Sequence, residues 1–192
     1  MKIIITLIPD SNFELYLINT GIDTDGVING QVLTSDIEDE LELSFLGNQI
    51  TDLTGIDDFV SLEILSISIL DIEEINLANN INLKRLDIQD VSLNNLDVTS
   101  NIALEEFNLF LNNNGGQYTS LIENIDFTAN SLLERIYIDN VNMSFIDFEN
   151  NGNITYLRLS DIESLNNINL KNGANVQLAF LLIQDNENLQ CV

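Results

Sequence analysis

Three arginines, Arg85, Arg135 and Arg158, are the only guanidinium groups in this chain of 192 residues. Each lies between apolar positions that alternate along a short segment: Lys84-Arg85-Leu86-Asp87-Ile88, Glu134-Arg135-Ile136-Tyr137-Ile138 and Tyr156-Leu157-Arg158-Leu159. If these segments are strands, the arginines share the face opposite the apolar residues. Tyr137 and Tyr156 fall on that face, as do Phe110, Asp87, Glu106, Asn108 and Asp139. The chemistry available there is binding. A guanidinium grips a carboxylate or polar group, and a ring lies flat against a sugar or an apolar side chain. Arg and Tyr are among the residues most enriched at binding hot spots. Arg85, Arg135, Tyr137, Tyr156, Arg158 and Phe110 are therefore the candidate ligand-binding set. The same residues also fit local pairing, Arg85 with Asp87 or Glu106 and Arg135 with Glu106 or Asp139, which would only balance an acidic surface. Both readings stay open, and both can hold at once.

Bond-making chemistry finds less support. The chain has no His, which removes the commonest general base and transition-metal ligand. A nucleophilic Ser, Cys or Lys would need a carboxylate as its base, and no spacing singles one out. The nine glycines form no phosphate-cradling motif, and one Cys with no His makes no zinc site. With 31 acidic residues, pairs of carboxylates arise by chance. The expectation is a protein that is not an enzyme. One stretch, Asp23-Thr-Asp-Gly-Val-Ile-Asn-Gly30, half-matches a Ca2+ loop through Asp23, Asp25 and Asn29. Gly21 stands where a first ligand belongs and Val32 where the closing carboxylate belongs, so Asp36 would have to complete the site. The alternative is two tight turns at Asp25-Gly26 and Asn29-Gly30.

The elements that must position these residues show as a repeat. Leading apolar residues stand at Leu62, Leu83, Leu104, Leu133, Ile154 and Val176, spaced by 21, 21, 29, 21 and 22 positions. The long step holds an insertion over 111–120, rich in Asn with Gly-Gly. Each coil continues Leu-x-x-Leu-x-Leu, as in Leu65 with Ile67, Leu86 with Ile88 and Phe107 with Leu109. This predicts one parallel strand per coil, near 64–68, 85–89, 106–110, 135–139 and 156–160. A second apolar pair follows in each coil, for example Leu96 with Val98 and Ile146 with Phe148. Coils this short leave room for extended or 3₁₀ segments on the convex side. Asn80, Asn101, Asn130 and Asn151 each precede a leading residue by three positions and read as a structural ladder bonding one coil to the next. Residues 1–39 read as an N-terminal cap. Its helix spans about 11–20, with Ser11-x-x-Glu14 as a capping box, Phe13, Tyr16 and Leu17 on one face and Gly21 as the stop. The turn or Ca2+ loop follows over 21–36, and repeats fill 40–192 in a single domain.

The pattern resembles the leucine-rich-repeat proteins of Bacteroidetes, of flavobacterial type, whose repeats run near Leu-x-x-Leu-Asp-Val-Ser at 21 residues. LKRLDIQDVSLNNLDVTSNIALEEF carries that likeness, together with the leader IPDSNFELYLINTGIDTDGVINGQVLTSDI and the closing INLKNGANV and DNENLQCV. The resemblance implies a leucine-rich-repeat solenoid, β-rich and right-handed, with one parallel concave sheet and a short helical cap. It also implies a secreted or cell-surface protein used in adhesion or recognition, whose export signal and sorting domain lie outside this sequence. One departure concerns the position after each strand. Leu70, Val91, Val141 and Ile162 occupy it where such repeats often carry Asn, and only Asn48 and Asn112 keep the amide.

A net charge of −25 repels nucleic acid and anionic headgroups, and no stretch is apolar for long enough to span a membrane. The expected partner is a protein or carbohydrate ligand. Two other classes compete with the recognition module. A β-helix polysaccharide lyase would also place Arg and acids on one sheet, but Asp87 and Asp139 lie two coils apart, too far to share one ion at ~4.8 Å per coil. A structural spacer would only project other domains.

Overall fold

The computed structural model describes residues 3–47, 49–111, 121–173 and 177–190. From the N-terminus the chain runs through β1 (Ile5–Leu7), α1 (Ser11–Thr20), β2 (Gln31–Leu33), the single helical turn α2 (Thr34–Ile37) and β3 (Glu42–Leu46). A 3₁₀ turn at Ile56–Asp58 leads to β4 (Ile64–Leu70), β5 (Arg85–Val91), β6 (Glu106–Phe110) and β7 (Arg135–Asp139). The chain ends in β8 (Phe145–Asp147), β9 (Tyr156–Ser160), β10 (Asn167–Asn169) and β11 (Phe180–Gln184).

The architecture is a parallel-sheet solenoid. Seven strands pair in the order β11-β9-β7-β6-β5-β4-β3, every neighbour parallel. All five strands expected from the repeat are present, β4 and β5 each running two residues further. Period-2 alternation explains their packing. Leu65 with Ile67, Leu86 with Ile88, Phe107 with Leu109, Ile136 with Ile138 and Leu157 with Leu159 are all buried, while their neighbours face outward. The opposite wall supplies Leu77, Val98, Phe127 and Phe148. Phe107 meets Phe127 edge-on at 5.1 Å, and Phe127 stacks on Phe148 at 5.6 Å, so rings bridge sheet and wall. That wall is extended, with β8 and β10 pairing in parallel, and among the described residues the repeats carry no α-helix after β3.

The register corrects one repeat boundary. Ile64, Arg85, Glu106, Arg135, Tyr156 and Phe180 stand side by side, so the last step is 24 residues, and Leu178 holds the leading position assigned to Val176. Val176 itself lies outside the described residues. The shift also reveals an amide. Asn186 sits in the column of Leu70, Val91, Val141 and Ile162, where it accepts from the Ile162 N–H at 2.9 Å and donates to the Leu159 carbonyl at 3.2 Å. Asn48 and Asn112, assigned to that column, are outside the described residues. At the same position Leu70, Val91, Val141 and Ile162 are buried, so they add to the core. In the preceding column Gly47, Ile69, Asp90, Asn140, Asp161 and Asp185 are left-handed, with φ between 50° and 59°. Gly, Asn and Asp tolerate that conformation. Ile69, being β-branched, is the strained member.

Behind the core, Asn80, Asn101, Asn130 and Asn151 are fully buried. Each side-chain amide donates to two carbonyls of the preceding coil at 2.8–3.0 Å, and one of the pair, from Asn101 onward, is the backbone carbonyl of the previous Asn. Asn172 continues the series more loosely, at 3.2 Å from the Asn151 carbonyl.

At the N-terminal end, α1 presses Phe13 against Phe45 and Phe59, and Tyr16 against Phe45. Its start is not the capping box read from Ser11 and Glu14. Asp10 is the N-cap, accepting from the N–H groups of Asn12 and Phe13. Partial burial opposes ionisation of Asp10, but hydrogen bonds from Thr51, Phe13 and Asn12 hold its carboxyl below the usual range. Glu14 is fully buried and reaches away from its own helix to take the N–H groups of Asn29, Gly30 and Gln31. The carboxylate therefore serves the loop that follows, which needs partners for its backbone more than the helix does. Gly21 ends α1 in the left-handed conformation. β1 pairs antiparallel with β2, outside the repeats.

Candidate functional site

Strand alternation sends Glu42, Ile64, Arg85, Glu106, Arg135, Tyr156 and Phe180 to the open face in one row, since they stand opposite one another in register. Ser66, Asp87, Asn108, Tyr137 and Arg158 form a second row, and Ser68, Gln89, Phe110, Asp139 and Ser160 a third. The face divides into two parts.

Toward β11 lies an alternation of cations and rings. The Arg135 guanidinium sits 4.8 Å from the centre of the Tyr156 ring, and Arg158 sits 4.6 Å from that of Tyr137. Tyr156 stacks in turn on Phe180, 4.4 Å away with planes 7° apart. Each such cation–ring contact contributes about 0.5–1 kcal/mol where it is exposed. The local pairings are present too. Arg85 Nε lies 2.8 Å from Asp87, and Glu106 bridges Arg85 and Arg135 at 3.7 and 3.5 Å. Arg135 takes Glu106 and not Asp139, which accepts instead from the Tyr137 hydroxyl at 3.0 Å and from Ser160 at 2.7 Å. Burial, then the bond to Asp139, pushes the Tyr137 phenol up to about 12, so it remains a donor at neutral pH. Arg158 has no ion pair among the described residues, and its Nε is buried without a hydrogen-bond partner.

Toward β4 the face is hollow. A cavity of about 570 Å³ has a polar floor, including Ser66, Asp87, Gln89 and Asn108, and a wall made of Phe110 and Tyr137. The two rings are 5.7 Å apart and inclined by 41°. Asp87 gathers three donors: Ser66 at 3.0 Å, Arg85 at 2.8 Å and the Asn108 amide at 2.6 Å. Of the six residues singled out in the sequence, Phe110 and Tyr137 line the hollow. Arg135, Tyr156 and Arg158 lie beside it, and Arg85 is engaged by carboxylates. Ser66, Ser68 and Gln89 were missed; the signal for the two serines is small size, since in the rows that hold Tyr137 and Phe110 they leave the β4 end of the face open.

The loop after α1 spends its side chains on turns. Asp23 accepts from the Asp25 N–H at 3.2 Å, and Asp25 accepts from the Val27 N–H and the Asn29 amide at 2.8 and 2.9 Å. Asp36 is held by Thr24. Burial, then the neighbouring carboxylates Asp25, Glu14 and Asp36, raises Asp23. Both Asp25 oxygens face donors, and among the described residues no group of three or more acidic side chains or Cys is gathered as a metal site would be. No helix among the described residues is long and apolar enough to cross a membrane.

No protein-family model and no curated protein matches this sequence. Among solved structures, the functional domain of InlJ from Listeria monocytogenes is similar at 20% identity and a TM-score of 0.54, over 96% of this chain. This chain spans about half of that one, 49%. Two further Listeria monocytogenes structures, internalin InlF and internalin C2, align over 96% of this chain at 14% and 17% identity, with TM-scores of 0.44 and 0.40. The InlJ domain is described as including a cysteine ladder, whereas this chain, with one Cys, stacks amides. Coil geometry, parallel sheet and structural likeness together identify the fold as a leucine-rich-repeat solenoid.

Proposed function

We propose that this protein is a non-catalytic recognition module that holds a protein or glycan partner against the open face of its sheet, at a cell surface or in the extracellular space. The observation that carries this reading is the concentration of the chain's three arginines on one face, interleaved with Tyr137, Tyr156, Phe110 and Phe180. Ring and guanidinium hold each other in place before a ligand arrives, which lowers the ordering cost of binding. Arg158, with no ion-paired carboxylate among the described residues, is the group most ready to pair with a polar atom of the partner. The fold supports the same reading, because stacked coils present an extended binding surface, and the functional domain of InlJ from Listeria monocytogenes has a similar fold.

The test is the double variant Arg135→Ala with Tyr156→Ala, its folding checked by circular dichroism. A partner found by screening glycan and cell-surface protein libraries should bind it at least about tenfold more weakly than the parent. Equal binding by variant and parent would move recognition away from this face.

A further inference from the structure

The recognition reading leaves the ligand class open, and the hollow beside the arginines narrows it. Its volume, about 570 Å³, falls within the range of roughly 300–1,000 Å³ usual for small-molecule sites. Its floor and wall differ in chemistry. The floor offers hydrogen-bonding groups, of which Ser66, Asp87 and Asn108 hold one another, and the wall offers two inclined rings. Arg158 lies over the Tyr137 ring at 4.6 Å, and the same ring also lines the hollow beside Phe110. The bond from its hydroxyl to Asp139 fixes the ring's tilt.

Resting on that recognition reading, we propose that the hollow is a binding site for an uncharged oligosaccharide, one sugar ring lying against Tyr137 and Phe110 with its hydroxyls on Asn108, Gln89 and Asp87. A sugar hydroxyl both donates and accepts. It is matched by side chains that carry acceptor and donor together, as the amides of Asn108 and Gln89 do. Gln89 has no side-chain hydrogen bond among the described residues, and Asn108 uses one donor, toward Asp87. Asp87 is positioned by Ser66, Arg85 and Asn108, leaving one of its roughly four lone-pair sites for a ligand hydroxyl. The C–H face of a sugar is the apolar surface that suits the ring wall.

Charge weighs against ionic ligands. A chain at −25 repels an anionic ligand from solution, and the cavity's one carboxylate already has Arg85 against it. A cationic side chain would therefore find a neutralised partner in the hollow. A neutral polyhydroxylated ligand meets neither obstacle.

A panel of neutral gluco-, manno-, galacto- and xylo-oligosaccharides, printed beside uronic and sulfated glycans and a peptide array, tests the assignment, with titration calorimetry on whatever binds. A neutral glycan should bind, with an affinity that changes less than about twofold between about 50 and about 500 mM salt, since no ligand charge is screened. Asn108→Ala and Gln89→Ala should each weaken it about tenfold or more while melting like the parent. Phe110→Leu, which keeps an apolar side chain but removes the ring, should weaken it as well. Absence of binding by every neutral glycan at millimolar concentration overturns the proposal, as does binding that both amide variants leave unchanged. A peptide that binds and is lost on Asn108→Ala overturns the ligand class and leaves the recognition face standing. A partner lost on the Arg135 and Tyr156 double substitution but kept by Asn108→Ala and Gln89→Ala overturns the hollow alone.

Discussion

The two ends of the solenoid handle the same exposed edge differently. At β3 the inward residues Leu43 and Phe45 are as buried as any interior pair, because α1 lies over them and the Tyr16 hydroxyl accepts from the Ser44 N–H. At β11 the equivalent residue, Leu181, is 46% exposed, and Phe180 beside it is 40% exposed. A coil buries its core only against a neighbour on each side. The N-terminal end obtains that second neighbour from a helix fixed by its own polar staples, Asp10 to Thr51 and Asp52 and Glu14 to the 29–31 backbone. Burial at a given column is thus a property of position along the stack, not of residue type.

The largest effect should come from the staple under the cap. Glu14→Ala removes a fully buried carboxylate and strands three N–H groups, and denaturant unfolding should show a loss of about 3–5 kcal/mol. A loss under about 1 kcal/mol would mean that water reaches this loop freely. Next comes truncation in one column at the two ends. Leu43→Ala should cost about 3 kcal/mol, and Leu181→Ala less than about 1 kcal/mol, because only the first leaves a cavity. Equal costs would show that something covers β11 in solution.

The ladder sharpens the comparison. Asn101→Ala should cost about 2–3 kcal/mol for two buried hydrogen bonds, and Asn172→Ala under about 1 kcal/mol at the looser end. Amide hydrogen exchange should show the same order, protection fading from β5 toward β11. The smallest effect concerns pH. Asp10 has a folded value below its unfolded one, so its contribution is present above the ordinary carboxylate range and is lost as pH falls through the folded value. Asp10→Ala should cost about 1–2 kcal/mol at pH 7. The gap between parent and variant should close as pH falls below about 4. A gap that stays constant down to pH 2 would assign the effect to packing.

Much of this was legible because repetition is legible. Columns such as Leu86-Ile88 and Phe107-Leu109 give strand, inward face and register at once, and so place Arg85, Arg135 and Arg158 on the opposite face. The last boundary was misplaced because Val176 satisfies the apolar column as well as Leu178 does, and two residues of drift hid Asn186. The capping box was misread because Ser11 and Glu14 have the right spacing while Asp10 competes from one position earlier.

The amino-acid sequence by itself determined the coil. Alternating apolar residues must turn inward together, and an Asn at a fixed offset bonds the coil before it wherever the stack forms. Only the tertiary structure decided what meets across coils: Arg158 over Tyr137, Asp139 taken by Tyr137 and Ser160, Glu14 under residues 29–31, and a hollow where Ser66 and Ser68 stand near two rings. The reason is geometric. Contacts within a coil follow from neighbours in the chain, whereas contacts between coils depend on ring tilt, rotamer and how far each side chain reaches over a gap of ~4.8 Å.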